Sequence, residues 1–142
     1  MAKDTKFLDA FARQIKLSIH TMAPAKVVKY DENKQRADIQ LLFMTVYADG
    51  TKEPYRLLEN VPVIFQRFKI NKGRPFTAII NGVSRTVQVE QDLVYTPFLR
   101  AGDIVLVGFA ERALDNLTNR PFDPEFHHTH DVQDAVVLGV LL

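Results

Sequence analysis

The chain contains no cysteine and no tryptophan, and it has only six glycines and seven prolines in 142 residues. Without cysteine there is no disulfide framework, no thiolate metal site and no cysteine nucleophile. Six scattered glycines cannot form a phosphate-cradling loop. A dominant charge is missing too. Eighteen Lys and Arg stand against seventeen Asp and Glu, a formal charge of +1, which argues against a surface that clamps polyanions over its whole extent but permits a local basic patch. Long apolar runs are equally scarce. The longest, at 134–142, is far short of the ~20 residues needed to cross a bilayer. Asp9, Arg13 and Lys16 interrupt the stretch where a leader would need an unbroken apolar core. These absences predict an unexported protein of a reducing compartment, or one that leaves by a route needing no signal, with no stable membrane insertion.

What is present suits one globular domain. Hydrophobic residues make up 46% and charged residues 25%, with ten Phe among them, and a chain of this size can bury roughly two-thirds of its unfolded surface. Residues 4–22 have helical spacing, with Leu8, Phe11, Ala12, Ile15, Ile19 and Met22 on one side and Lys6, Asp9, Arg13 and Lys16 elsewhere. Asp4 or Thr5 caps the start and Pro24 stops the continuation. Such a one-sided helix has to lay its apolar face on the rest of the chain or on a partner.

From Ala25 onward the pattern is that of strands and turns. Residues 26–30 lead through a polar turn at 31–34 into a long strand at 36–47, and a turn at 48–51 offers Gly50 for positive φ. Val61, Val63 and Phe65 share one face of a short strand that Pro62 places at an edge. Residues 76–80 and 83–89 flank Asn81-Gly82, a type I′ hairpin signal. The run 104–110 reads as a strand buried on both faces, followed by a helical turn around 113–119 and a last strand at 135–142. Short strands at this spacing, without crossover helices, predict a mainly β fold: a small closed or nearly closed barrel behind an amphipathic N-terminal helix.

Chemistry-bearing residues are few. His127, His128, His130 and Asp131 form the most conspicuous cluster. His128 and His130 could share a metal on one side of a strand, or the histidines could hydrogen-bond locally and orient the last strand. Ser18 and Ser84 sit in no nucleophile elbow. Asp115, Asp123, Asp131 and Asp134 could pair as in a hydrolase, although such residues commonly cap turns. Residues 66–76 carry Arg67, Lys69, Lys72 and Arg74 with Phe68 and Phe76 interleaved, as a single-strand nucleic-acid groove would, or as a solvated loop or protein-docking surface would.

Several segments together resemble the N-terminal oligonucleotide/oligosaccharide-binding (OB) fold domain of phage central spike proteins, the trimeric tips of contractile tails. They are residues 20–31 (HTMAPAKVVKYD), 35–40 (QRADIQ), 60–65 (NVPVIF), 101–112 (AGDIVLVGFAER) with Leu114 and Asp115, and 130–136 (HDVQDAV). The resemblance spans nearly the whole chain. It implies an OB-fold-like barrel at 25–142 behind a helical segment at 1–24, and a structural virion protein with no catalytic residues to transfer. It implies a homotrimer in the tail baseplate, assembled in the bacterial host cytoplasm and bound to the hub and neighbouring tail proteins. It also places a histidine before the final strand, favouring a structural role for His130. Two departures stand out. The chain ends at Leu142, where membrane-piercing members continue into a β-helix, which suits a plug, or an adaptor for a separate tip protein. The segment at about 66–98 is longer than the family's usual connection.

The expected function is therefore mechanical: a trimeric spike or hub-tip component, not an enzyme, with no cofactor, no metal and no small-molecule substrate. A single-stranded nucleic-acid-binding OB-fold protein using 66–76 is the alternative. A small metal-dependent hydrolase built on His128 and His130 is the third. The expected partner-binding residues are Arg67, Lys69, Lys72 and Arg74 in the basic loop, with Ser84, Thr86 and Gln88 on the polar face of the inserted hairpin.

Overall fold

A computed structural model describes residues 2–125 and 129–142. The element order is α1 (Ala2–Ser18), β1 (Met22–Asp31), β2 (Arg36–Leu41), β3 (Met44–Val46), β4 (Lys52–Pro54), β5 (Leu58–Pro62) and β6 (Lys69–Ile70). It continues with β7 (Pro75–Ile80), β8 (Val83–Gln88), β9 (Leu93–Val94), β10 (Ile104–Phe109), a 3-10 turn (Val132–Asp134) and β11 (Ala135–Val140). The chain forms two compact units, a body of residues 1–64 and 99–142 and an arm, Phe65–Phe98.

In the body, five antiparallel strands run in the order β11-β10-β1-β2-β5. Beyond β5 a parallel bridge joins Val63 to Val137, and the Ile64 N–H donates to the Val137 carbonyl at 2.8 Å. That bridge curls the sheet into a half-barrel, in keeping with the small β-barrel-like fold that the sequence predicts. Alternation supplies the core. Val27, Ile39, Val105, Val107 and Val137 are the largest side chains below 2% exposure, and cross-strand pairs such as Val27–Ile39 and Val107–Val137 set them side by side. The turn between β1 and β2 is held by Asp31, whose carboxylate accepts the Asn33 and Lys34 N–H groups. A bulge at Asn60 (φ 56°) is pinned by the Asp38 carboxylate, which accepts the Asn60 N–H at 2.9 Å.

Four expectations are corrected. The helix ends at Ser18, and Met22 already belongs to β1, opposite Gly108. The Phe109 N–H bonds the Thr21 carbonyl at 3.1 Å, so sheet pairing claims the chain before Pro24 is reached. The expected strand at 36–47 is two strands, because pairing with β1 ends at Leu41 and the chain turns out into the β3–β4 hairpin, whose Gly50 has φ 85°. Residues 113–119 form a turn, with Leu117 N–H donating to Leu114 O at 3.0 Å. Of the expected face at 61–65, Val61 and Val63 are buried but Phe65 is exposed.

Strand β10 departs from its reading as well. Val105, Val107 and Phe109 are buried, while Ile104, Leu106 and Gly108 on the opposite face are only half-buried. The helix, too, meets no cover: every described side chain of α1 from Thr5 to Ser18 is exposed.

Candidate partner-docking surfaces

The arm begins with a basic loop and continues as a hairpin. Strands β7 and β8 pair from Pro75–Gln88 to Ile80–Val83, and Asn81 (φ 51°) and Gly82 (φ 78°) both take the positive φ of a type I′ turn. The register sorts the side chains onto two faces. Ser84, Thr86 and Gln88 stand opposite Ile79, Thr77 and Pro75, and all six are exposed. The other face carries Phe76, Ala78, Ile80, Val83, Arg85 and Val87, an apolar strip interrupted by one cation. In the whole arm only Val89 is buried.

All four cations of the loop are exposed, and one of them, Lys69, meets an acid that also takes a backbone N–H of the loop. The Lys69 ammonium lies 2.8 Å from Asp92, whose carboxylate also accepts the Lys72 N–H at 2.8 Å. The Lys69 hydrogen bond, and after it the Lys72 N–H, hold the Asp92 carboxyl below its ordinary value. The short β6–β9 ladder, Lys69 to Val94 and Ile70 to Leu93, is extended by the Tyr95 N–H donating to Phe68 O at 3.1 Å. Arg74 enters the hairpin directly, its carbonyl accepting the Val89 N–H. Arg67 lies ahead of the ladder. The loop and hairpin residues singled out from sequence thus lie in one compact unit, where Asp92 joins only Lys69 and Lys72. Asp92 lies twenty-odd positions from Lys69, beyond any local pattern.

In the histidine segment, His127 and His128 lie outside the described residues. His130 takes φ 49°, its Nδ1 sits 3.2 Å from the Phe109 carbonyl, and its N–H donates to Ala110 O at 3.1 Å. It ties the approach to β11 onto the end of β10. The carboxylates nearby are similarly engaged with backbone. Asp131 caps the 3-10 turn by accepting the Gln133 N–H at 2.8 Å. Asp123 accepts the Glu125 N–H, and the buried Asp134 accepts the Leu114 N–H at 3.2 Å. Among the described residues no group of three or more His, Asp or Glu could hold a metal ion.

A second apolar surface was hidden in the sequence because the run 104–110 reads as buried on both faces. On the outer side of β10 and β11, Ile104, Leu106, Gly108, Val136 and Leu138 present no polar side chain. A Cβ on Gly108 would meet Leu138 Cδ1 at 3.2 Å, so the missing side chain lets Leu138 lean across the strand. An antiparallel sheet facing water normally alternates to polar residues here. Compared with known proteins, the chain matches no family model and no curated protein.

Proposed function

We propose that this protein is a structural component of a contractile phage tail or tail-derived particle: a homotrimeric baseplate spike or hub-tip piece. It plugs the hub, or adapts it to a separate tip protein, and its work is mechanical rather than catalytic. The resemblance to spike OB domains motivates this reading. The observation that supports it is the distribution of apolar surface. A body with a well-filled core carries an amphipathic helix whose described side chains from Thr5 to Ser18 are exposed, an apolar outer sheet face and an arm with a single buried residue. Surfaces of that kind mark interaction sites, and trimerisation would cover apolar area while matching a three-fold hub. Light scattering coupled to gel filtration tests the assembly: the expected mass is about three times the 16.2 kDa chain. A clean monomer at micromolar concentration would count against an autonomous trimer.

Single-strand nucleic-acid binding is the second reading, favoured by Phe68 and Phe76, both more than half exposed beside Arg67 and Arg74. Against it stands Asp92, which engages Lys69. Affinity for an unstructured oligonucleotide that falls steeply with salt is the result this reading requires.

A further inference from the structure

We propose that the apolar stripe of α1 lies on the outer face of β10 and β11 of a neighbouring copy, so that the copies are joined by exchanged helices. This rests on the self-association proposed above and names the surfaces that would carry it.

The receiving surface is a shallow groove of about 380 Å³, lined chiefly by Met22, Ile64, Gly108, Val136 and Leu138. The element lacking a partner is α1. Phe7, Leu8, Phe11 and Ile15 recur at the spacing of one helix face and are all exposed, at 46–69%. Most of a helix's stability in a protein comes from packing its amphipathic face rather than from propensity, so this 17-residue helix needs cover for that stripe.

Charge selects the occupant. Helix α1 carries Lys3, Lys6, Arg13 and Lys16 against Asp4 and Asp9, a net +2, whereas residues 19–64 and 99–142 carry nine Lys and Arg against thirteen Asp and Glu, a net −4. Bundling several α1 helices together would bring like charges into contact. Laying one on the barrel brings opposite charges together, because the groove's end at Ala110 and His130 continues into Glu111 and Asp131. No residue of the helix of the same chain lines this groove. Its three-residue connection is pinned, with the Thr21 carbonyl bonded to Phe109 and the His20 ring edge-on to Tyr55 and Phe109 at 6.1 and 5.9 Å. Helix and groove therefore complement each other while leaving each other uncovered within one chain. Passing each helix to the next barrel closes a ring of copies.

The absence of cysteine makes the test direct. Copies carrying only Phe11→Cys are mixed with copies carrying only Leu138→Cys, allowed to exchange and mildly oxidised. The expected product is a disulfide-linked heterodimer that exceeds the homodimers formed by either variant alone. Dominant Phe11→Cys homodimers would instead indicate a helix bundle and overturn the proposal. So would a Phe11→Cys/Leu138→Cys double variant that closes only within one chain, since the helix would then cover its own barrel. A trimeric parent without the heterodimer overturns helix exchange but leaves the trimer standing, whereas a monomeric parent overturns both. As a second variant, Phe11→Glu alters only an exposed position. It should keep the β-sheet circular dichroism of the parent and run as a monomer; a trimer of unchanged mass would overturn the proposal.

Discussion

The body and the arm are built from similar strand-forming residues, yet they bury them very differently. In the body, Val27, Val105, Val107 and Val137 lie at 0% exposure around Ile39. In the arm the comparable side chains Phe76, Ile79, Ile80 and Val83 are 44–78% exposed, with Val89 alone inside. A 34-residue β unit without disulfides falls below the size at which a chain usually sustains its own core. Backbone pairing and an Asn-Gly turn can define such a unit's shape without giving it much stability, because a lone hairpin is marginal in water. Apolar composition therefore has two meanings here: around Ile39 it is core, and in the arm it is exposed surface.

Removing the arm's hairpin is the most drastic way to break that contrast. Replacing residues 79–88 by a short Gly-Ser connection should leave a cooperative unfolding transition, followed by circular dichroism, and, under the proposed tail role, abolish incorporation into tail particles. If the shortened protein unfolds, the hairpin belongs to the body's stability. If it still assembles into infectious particles, the arm has no essential partner.

Point substitutions sharpen the same contrast. Ile39→Ala in the body should lower unfolding stability by about 3 kcal/mol through lost transfer energy and a cavity. Ile79→Ala in the arm, at 78% exposure, should stay within about 0.5 kcal/mol. Urea titrations of the two variants against the parent measure both. Equal costs would mean that the arm has a core of its own.

Sequence periodicity reads these regions unevenly, and the reason is physical. Where a local rule decides, it succeeds: Asn81 and Gly82 take the positive φ expected of them, and β1 and β2 flank a turn closed by Asp31. Where long-range pairing decides, it overshoots. The helix pattern runs through Met22, but that residue pairs with Gly108, far away in sequence. An apolar run such as residues 104–110 carries no mark of what covers its second face, so a strand half-buried in one chain looks like one buried on both sides. The residues expected from sequence to bind a partner show the same limit. Their types and alternation were legible, but the capture of Lys69 by Asp92 depends on the β6–β9 ladder.

A smaller effect is expected at the junction of β10 and β11. His130→Ala removes the ring contact to the Phe109 carbonyl, and a single hydrogen bond of this kind contributes about 1 kcal/mol. The variant's loss should fall well below that of Ile39→Ala, with no change in metal content by elemental analysis. A metal that is stoichiometric in the parent and absent from the variant would instead revive the metal reading of this segment.

The smallest effect belongs to the arm's one ion pair. Hydrogen bonds from Lys69 and Lys72 hold the Asp92 carboxyl below its ordinary value in the folded arm. The stability linked to a depressed carboxyl is present above the unfolded value and is lost as pH falls through the folded one. Protonation should therefore release Lys69 and weaken the β6–β9 ladder only in acid, below about pH 4. Both partners are about half exposed, so solvent screening keeps the effect small. In an NMR titration, the Lys72 amide should move with the Asp92 carboxyl at a midpoint below the ordinary aspartate value, while the amides of β1 and β2 stay in place. Asp92→Asn should erase that acid step without shifting the body's unfolding midpoint. If the midpoint moves instead, the ladder contributes to the body's stability and the two regions are less independent than their cores indicate.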